Sequence, residues 1–432
     1  MLSNALQFDS ANPQWAQIPP EPAVFALYGS DPHAEPYISR TPNLRNRLRR
    51  LLDARPDQSK RLRLAQSTAR IEYSLTGSEF EAWLLLYQAS TQAFGERARK
   101  RLHLRPPTLL RMAMENAYPR VYVTNKVTNK AADNLFGPWP SRAAAENFLE
   151  AMLNLFELRR CTDDLHPDPL FPGCVYSEMK KCMAPCFKGC TDERYAQEAN
   201  AVYSFLATHG ESLIAELTHQ REAASTALDF EKAAELHARL AKVESAASLM
   251  PPAVHALSSL SGVLIQPSAE PDHVALFLLT QGTLADPAHY SVAGMRHHNE
   301  QSGSSSLFSH PAALEPIPLD DSGAPIVKLA ARDELESRLD DALSTLSRGP
   351  REQVFVRGVE IGSPQLAADH LSLFARWVYR PQSKRIGEIC FAEPDGSLPK
   401  KAILRAVSRV FRSALSSTDT SATSGPSGQS SA

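Results

Sequence analysis

The 432-residue sequence contains no apolar run approaching the roughly 20 residues that a helix needs to cross a bilayer. Its first residues, MLSNALQFDSANPQW, lack a basic segment followed by an apolar one, so no secretory leader is expected and the cytoplasm is the default location. An excess of one charge is missing too. Lys and Arg number 46 against 48 Asp and Glu, a net charge of −2 that by itself argues nothing about nucleic acid. No long-period repeat is present, which excludes a solenoid or a propeller. Cysteine is scarce, with six residues in the chain. The chain is too long for one ordinary core, so two to four domains are expected.

The charge and the thiols are unevenly placed. Residues 1–160 hold 22 Lys and Arg against 15 Asp and Glu, so the rest of the chain carries the acidic surplus. A polyanion would therefore bind at the front. Five of the six cysteines lie between Cys161 and Cys190. Without a secretion signal, such crowding reads as metal or iron–sulfur ligation sooner than as a disulfide framework.

Apolar spacing gives a mixed α+β, multidomain chain. PAVFALY (22–28) reads as a strand and Pro36-Tyr37-Ile38 opens another. Thr41 is a natural N-cap for NLRNRLRRLLD, an amphipathic helix with Leu44, Leu48, Leu51 and Leu52 on one face. A strand over 70–75 and a helix opened by Thr76-Gly77-Ser78-Glu79 and running to about Phe94 follow. A strand over 119–128, a Ser141-capped helix and an irregular segment over 161–190 come next. Residues 192–247 are helical, 260–292 carry strands, 294–325 form a polar loop, and helices are expected near 330–346, 364–376 and 400–414. The tail from Ser416 is of low complexity and expected to lack structure.

Arg40, Arg45, Arg47, Arg49, Arg50, Arg55, Lys60, Arg61 and Arg63 fall within 24 residues, against Asp53 and Asp57 alone. Arginines beside a leucine face can contact successive phosphates, with Arg40, Arg45, Arg49 and Arg50 as the DNA-binding candidates. A merely solvated helix face is the plainer alternative.

PAVFALYG…PYISRTPNLRNRL resembles the entrance of the GIY-YIG nucleases, which implies a small sheet flanked by helices. In that family two Tyr, a Lys and an Arg surround the scissile phosphate and a Glu holds one divalent ion. On this resemblance Tyr37 matches the second Tyr, Arg47 the Arg and Arg40 the Lys position, while Phe25 replaces the first Tyr and Ser39 the Gly of the second triplet. Glu81-Ala82-Trp83-Leu84-Leu85-Leu86 places Leu86 where the metal Glu belongs, and a Leu cannot ligate a hard cation. The site, with Tyr37 and Arg47 as vestiges, is thus expected not to cut. Mg²⁺ or Mn²⁺ is implied only if Glu79 or Glu81 serves instead, as in an active nuclease making a single incision.

Residues 120–161, RVYVTNK…NLFGPWPSRAAAENFLEAMLNLFELRRC, resemble the UvrC family of excinucleases in strand, turn, capped helix and terminal Cys. Cys161, Cys174, Cys182 and Cys186 resemble its four-cysteine pattern, which implies a four-iron, four-sulfur cluster. On the residues alone, zinc stays open as the alternative. Cys190 is a fifth candidate, and isolated Cys390 reads as a small apolar residue.

ELTHQREAASTALDFEKAAELHARLAKVES resembles the UVR motif, which implies docking on UvrB, the excinuclease component that carries the matching hairpin. Leu213, Leu217, Ala224 and Leu228 share one face of its first helix. Asp229 caps the second helix, whose face is Phe230, Ala233, Ala234, His237, Leu240 and Val243. Leu228, Phe230, Ala233, Ala234, His237 and Leu240 are the candidate partner contacts.

Past about residue 250 the resemblance fades, and neither a ribonuclease-H-like site nor a helix-hairpin-helix pair is recognisable. The expected organisation is a degenerate nuclease-like domain (16–100), a connecting module (101–160), the cysteine segment (161–190), a helical region (192–248) with its hairpin over about 212–247, a C-terminal α+β domain (260–414) and a tail (416–432). The expected role is in nucleotide excision repair, binding damaged double-stranded DNA and UvrB with no membrane contact. A DNA-binding redox sensor is the further alternative.

Overall fold

The computed structural model describes residues 2–31, 33–52, 64–162, 165–295, 332–348 and 363–422. Arg55, Lys60, Arg61, Arg63 and most of the polar loop over 294–325 lie outside these residues. Among the described residues, three antiparallel sheets carry the α+β fold.

The first sheet is formed by β1 (Asn4–Gln7), β2 (Ala23–Gly29), β3 (Tyr37–Thr41) and β4 (Thr68–Leu75), in the order β1-β4-β2-β3. Helix α1 (Leu44–Leu52) follows β3, and α2 (Glu79–Phe94) follows β4. Strand β2 is apolar on both faces because both are covered. Ala23, Phe25 and Leu27 meet Leu44, Leu48 and Leu52 of α1, whereas Val24 and Ala26 meet Ala82 and Leu86 of α2. Asn43, not Thr41, caps α1, its Oδ1 accepting the Asn46 N–H at 2.9 Å. Thr41 is still extended in β3, opposite Ala23, and its hydroxyl accepts the Asn43 N–H. Ser78 caps α2 through the Glu81 N–H (3.1 Å), and the Glu81 carboxylate reaches back to the Gly77 N–H (2.8 Å).

Next come α3 (Arg97–Arg101), β5 (Thr108–Met112), β6 (Val121–Thr124), β7 (Leu135–Trp139) and α4 (Arg142–Leu153). Strand β7 occupies the Phe-Gly-Pro stretch expected to turn. It is buried throughout, and the register slips between Thr108 and Leu110 opposite it, which accommodates Pro138. The cysteine segment is irregular apart from α5 (Val175–Glu178) and a 3-10 turn at Pro185–Phe187. Helices α6 (Asp192–Ala207), α7 (Glu211–Thr226) and α8 (Phe230–Ala247) follow, α8 capped by Asp229. Phe148, Phe205, Leu217, Leu236 and Val243 share one core, so the base of the α7–α8 hairpin is packed on the second sheet, β6-β5-β7-β8, where β8 is His255–Ala256.

The third sheet holds β9 (Ser261–Pro267), β10 (His273–Thr280), β11 (Thr283–Leu284) and β12 (Ala288–Ser291). Helices α9 (Arg332–Arg348) and α10 (Pro364–Val378), strand β13 (Glu388–Phe391) and helix α11 (Lys400–Ala422) complete the chain. The order is β11-β10-β9-β13, with β12 also on β10. Strand β13 was not expected from its short run. Helix α11 runs seven residues into the tail that begins at Ser416, since neither Gly nor Pro interrupts the chain before Gly425.

Helices α9 and α11 cover one face of this sheet. On the other, Phe277, Phe374 and Trp377 pack on Phe80, Leu84 and Tyr87 of α2. Helix α2 is therefore enclosed between the first sheet and the C-terminal unit. At its start the backbones nearly touch: a Cβ on Gly77 would lie 2.4 Å from the Pro267 carbonyl oxygen, so no side chain fits there.

Candidate functional site

Two thiols of the cysteine segment, Cys182 and Cys186, feel others of the segment. Burial pushes the Cys182 thiol up to about 11, and the charges of Cys161, Cys174 and Cys186 add to the rise. Cys186 is raised by burial and then by Cys174 and Cys161. Cys190 is raised by burial and Asp192, with Arg194 opposing, and no other thiol contributes. Cys161, Cys174, Cys182 and Cys186 thus form one electrostatic neighbourhood and Cys190 stands apart. The Ala184 N–H donates to the Cys182 sulfur at 3.4 Å and the Arg159 guanidinium to the Cys161 sulfur at 3.7 Å. Lys180, Ala184 and Lys188 hold left-handed backbones at φ +56°, +57° and +58°, bracketing Cys182 and Cys186. Each such residue costs on the order of 1 kcal/mol or more, which the rest of the loop must offset. Among the described residues, no group of three or more His, Cys, Asp or Glu side chains is placed so that it could hold a metal ion. Cys390 lies in β13, packed against the core of the third sheet.

The hairpin divides its apolar residues between core and solvent. Leu217, Leu236, Leu240 and Val243 are buried in the core of the second sheet, with Leu213 and Ala224 packed beside them. Leu240, expected to meet a partner, is thus already covered, and Leu236 belongs to the seam although the apolar spacing did not single it out. Leu228 lies in the turn rather than on the first helix, with a left-handed backbone (φ +60°). It is 72% exposed and Phe230 67% exposed. Ala234 and His237 are exposed and Ala233 is half-buried. The tip thus presents an apolar pair to solvent.

The nuclease-like residues divide between two faces of the first sheet. Tyr37 lies on the α1 side, its ring 6.2 Å from that of Phe25, and the Arg47 guanidinium donates to its hydroxyl at 3.4 Å. Phe25 is fully buried. Arg40, three residues on, points to the α2 side, where it pairs with Glu79 at 3.1 Å and stacks over Trp83 at 4.4 Å. Leu86 is core on that same side. Arg45 is occupied structurally, donating to the Ile18 carbonyl at 2.6 Å, whereas Arg49 and Arg50 are exposed.

Neither alternative carboxylate faces Tyr37. Arg380, just past α10, grips Glu79 through two hydrogen bonds (2.6 and 3.0 Å), and this holds its carboxyl down to about 2. Glu81 is spent on its own helix start, and burial raises it to about 7. Sequence motifs do not announce this junction, because α10 lies some 300 residues from Glu79. Arg376 there stacks over Trp83 at 3.8 Å. A second tie lies further along α2, where buried Asp369 accepts from the Tyr87 hydroxyl (3.2 Å) and pairs with Arg99 (3.2 Å).

Two stretches of the chain match known families. Residues 108–205 match the middle domain of the UvrC/Cho excinucleases and residues 211–246 match the UvrB/UvrC motif. The chain is 30% identical to UvrABC system protein C of Pseudomonas fluorescens over 224 residues, 50% of this chain and 35% of that protein. It is 29% identical to the Moorella thermoacetica protein of that name over 235 residues, 53% and 37% of the two chains. With the Carboxydothermus hydrogenoformans protein it is 26% identical over 364 residues, 82% and 57%. That alignment is too long to end near residue 250, so likeness to this family extends into the C-terminal unit, contrary to the expectation from motifs. The alignments span between 35% and 57% of these relatives. No solved structure matches. No helix among the described residues is long and apolar enough to cross a membrane.

Proposed function

We propose that this chain works in nucleotide excision repair as a relative of UvrABC system protein C that docks and positions, and does not incise through its N-terminal sheet. The observation that carries this reading is the hairpin tip, where Leu228 and Phe230 stand exposed within a matched UvrB/UvrC motif. An apolar pair at the end of a hairpin whose base is already packed suits a partner hairpin, namely that of UvrB. Damaged double-stranded DNA is the other partner.

The reading that this sheet does not incise rests on the residues it carries. Tyr37 and Arg47 share one face of the sheet, Arg40 and Glu79 the other, and Glu79 is neutralised by two guanidiniums. A metal-assisted phosphodiester cut needs an oxygen ligand for its ion, and buried Leu86, at the position of the family's metal Glu, supplies none.

Cys161, Cys174, Cys182 and Cys186 are the proposed ligands of a four-iron, four-sulfur cluster. What supports this is the resemblance of their spacing to the UvrC pattern, together with the influence of Cys161 and Cys174 on both Cys182 and Cys186; zinc is the alternative. Once bound, such a group would supply cross-linking of the segment and a redox-active centre. The chain's own part is to hold the loop with its left-handed residues and to direct the Ala184 N–H and Arg159 at two sulfurs.

The deciding experiment incubates the anaerobically purified protein with UvrA and UvrB, ATP, Mg²⁺ or Mn²⁺ and an end-labelled duplex bearing one bulky lesion. The expected result is no nick and a stable complex with UvrB, lost in Phe230→Ala. A specific nick that disappears in Tyr37→Phe and Arg47→Ala would establish the single-incision nuclease instead. DNA affinity that follows cluster oxidation without UvrB would point to the redox sensor.

A further inference from the structure

Between Asp369 and Glu388 the chain contains no acidic residue and four cations: Arg376, Arg380, Lys384 and Arg385. This stretch leaves α10, crosses the surface and enters β13. Its first two arginines meet Arg40 of β3 around a single carboxylate, Glu79. Among the described residues, Glu79 is the one acid paired with any of these five cations. Trp83 carries two guanidiniums, those of Arg40 at 4.4 Å and Arg376 at 3.8 Å from its ring centre. The indole thereby holds two like charges close together and fixes their directions. Crowding has its signature, for burial and then Arg40 and Arg380 pull the Arg376 guanidinium below its ordinary range. Arg385 is held by donating to the Val378 carbonyl at 3.0 Å, and Arg376 and Lys384 are exposed.

A favourable position at the end of α10 accounts for a basic residue or two. It does not account for a run without a single acid, joined to an arginine of another sheet. Cations gathered around one carboxylate and continued by Lys384 and Arg385, short of counter-charge, fit a partner whose negative charges repeat at fixed spacing.

We infer that β3, the end of α10 and the α10–β13 connector form one ridge that binds the phosphate backbone of duplex DNA, with Arg376 and Lys384 as its exposed contacts. This rests on the DNA-binding reading above and assigns the C-terminal unit a share of that binding. It also moves the main phosphate contacts away from α1, where Arg45 and Arg47 are occupied by other groups.

The test is the salt dependence of binding of the full-length protein to a fluorescent duplex. Each phosphate contact contributes about 0.9 to the slope of log K against log salt. The Arg376→Gln, Lys384→Gln double variant should therefore lose nearly 2 from the slope, with affinity down about tenfold or more at moderate salt. Arg376→Lys, which keeps the charge, should restore its share, and Lys242→Gln on α8 should change nothing. Unaltered thermal unfolding of the double variant shows that the loss is not a folding defect. Wild-type binding with an unchanged slope in the double variant overturns the ridge and leaves the DNA-binding reading standing. Wild-type protein that ignores the duplex overturns that reading itself, and capture of an oligoglutamate probe in its place would identify the ridge as a site for an acidic protein.

Discussion

The cysteine segment and the first sheet both carry residues selected by motif, and the structure treats them in opposite ways. Four thiols spread over 26 residues of irregular chain come into one electrostatic neighbourhood. Four nuclease-like residues on regular elements end up on two faces of a sheet. The difference lies in what sets direction. In a strand, alternation fixes that Tyr37 and Arg40 point oppositely, whatever the chemistry would want. In the cysteine loop no such rule operates, and left-handed residues at Lys180, Ala184 and Lys188 turn the chain on either side of Cys182 and Cys186.

The contrast can be broken most forcefully at the thiols. Cys186→Ser should bring the iron and acid-labile sulfide of the anaerobically purified protein to background, while Cys190→Ser leaves both intact. Equal loss in the two would mean that the set of four is wrongly drawn. The next largest effect concerns what holds α2. Asp369→Ala strips the Tyr87 hydroxyl of its acceptor and Arg99 of its partner, and urea unfolding should show about 2–3 kcal/mol of lost stability.

Glu81 and Glu79, two residues apart, offer a finer test. The Glu81 carboxyl is raised to about 7 when folded, above its ordinary value near 4.5. Its contribution is therefore fully present at low pH and is lost as pH climbs toward and through 7. Glu81→Gln should remove about 1–2 kcal/mol of the stability difference between pH 5 and pH 8. Glu79, lowered to about 2, acts in reverse: its contribution holds above about 4.5 and is lost as pH falls through 2. Glu79→Gln should accordingly flatten the acid limb of the same curve. An unchanged profile in either variant would contradict the environments assigned to them. Smallest of all, Tyr37→Phe gives up one long hydrogen bond at a half-exposed site and should alter stability by less than about 0.5 kcal/mol. A larger loss would mean that Tyr37 is more tightly built in than its one long hydrogen bond accounts for.

Much of the fold was legible because its signals are local. Ser78, Ser141 and Asp229 cap the helices that their side chains announce, and Leu44 and Leu48 turn inward as their spacing requires. What escaped depends on distant chain. Periodicity marks Leu228, Phe230 and Leu240 alike as apolar positions, but only the packing of α7 and α8 on the second sheet decides that Leu240 is spent and the other two are not. Strand β7 escaped because Gly-Pro reads as a turn until β5 slips its register to receive it. The pairing of Glu79 with Arg380 spans 301 positions, and no local pattern reports it.

The enclosure of α2 bears on how the chain can be made. A helix that emerges early in synthesis has Phe80, Leu84 and Tyr87 on a face whose cover, Phe277, Phe374 and Trp377, lies far along the chain and is translated much later. At ordinary elongation rates of about 5–20 residues per second, that face waits many seconds for its lid. That face of α2 is completed only when the C-terminal unit arrives, and a fragment ending after α2 would leave it open to every other copy in the tube.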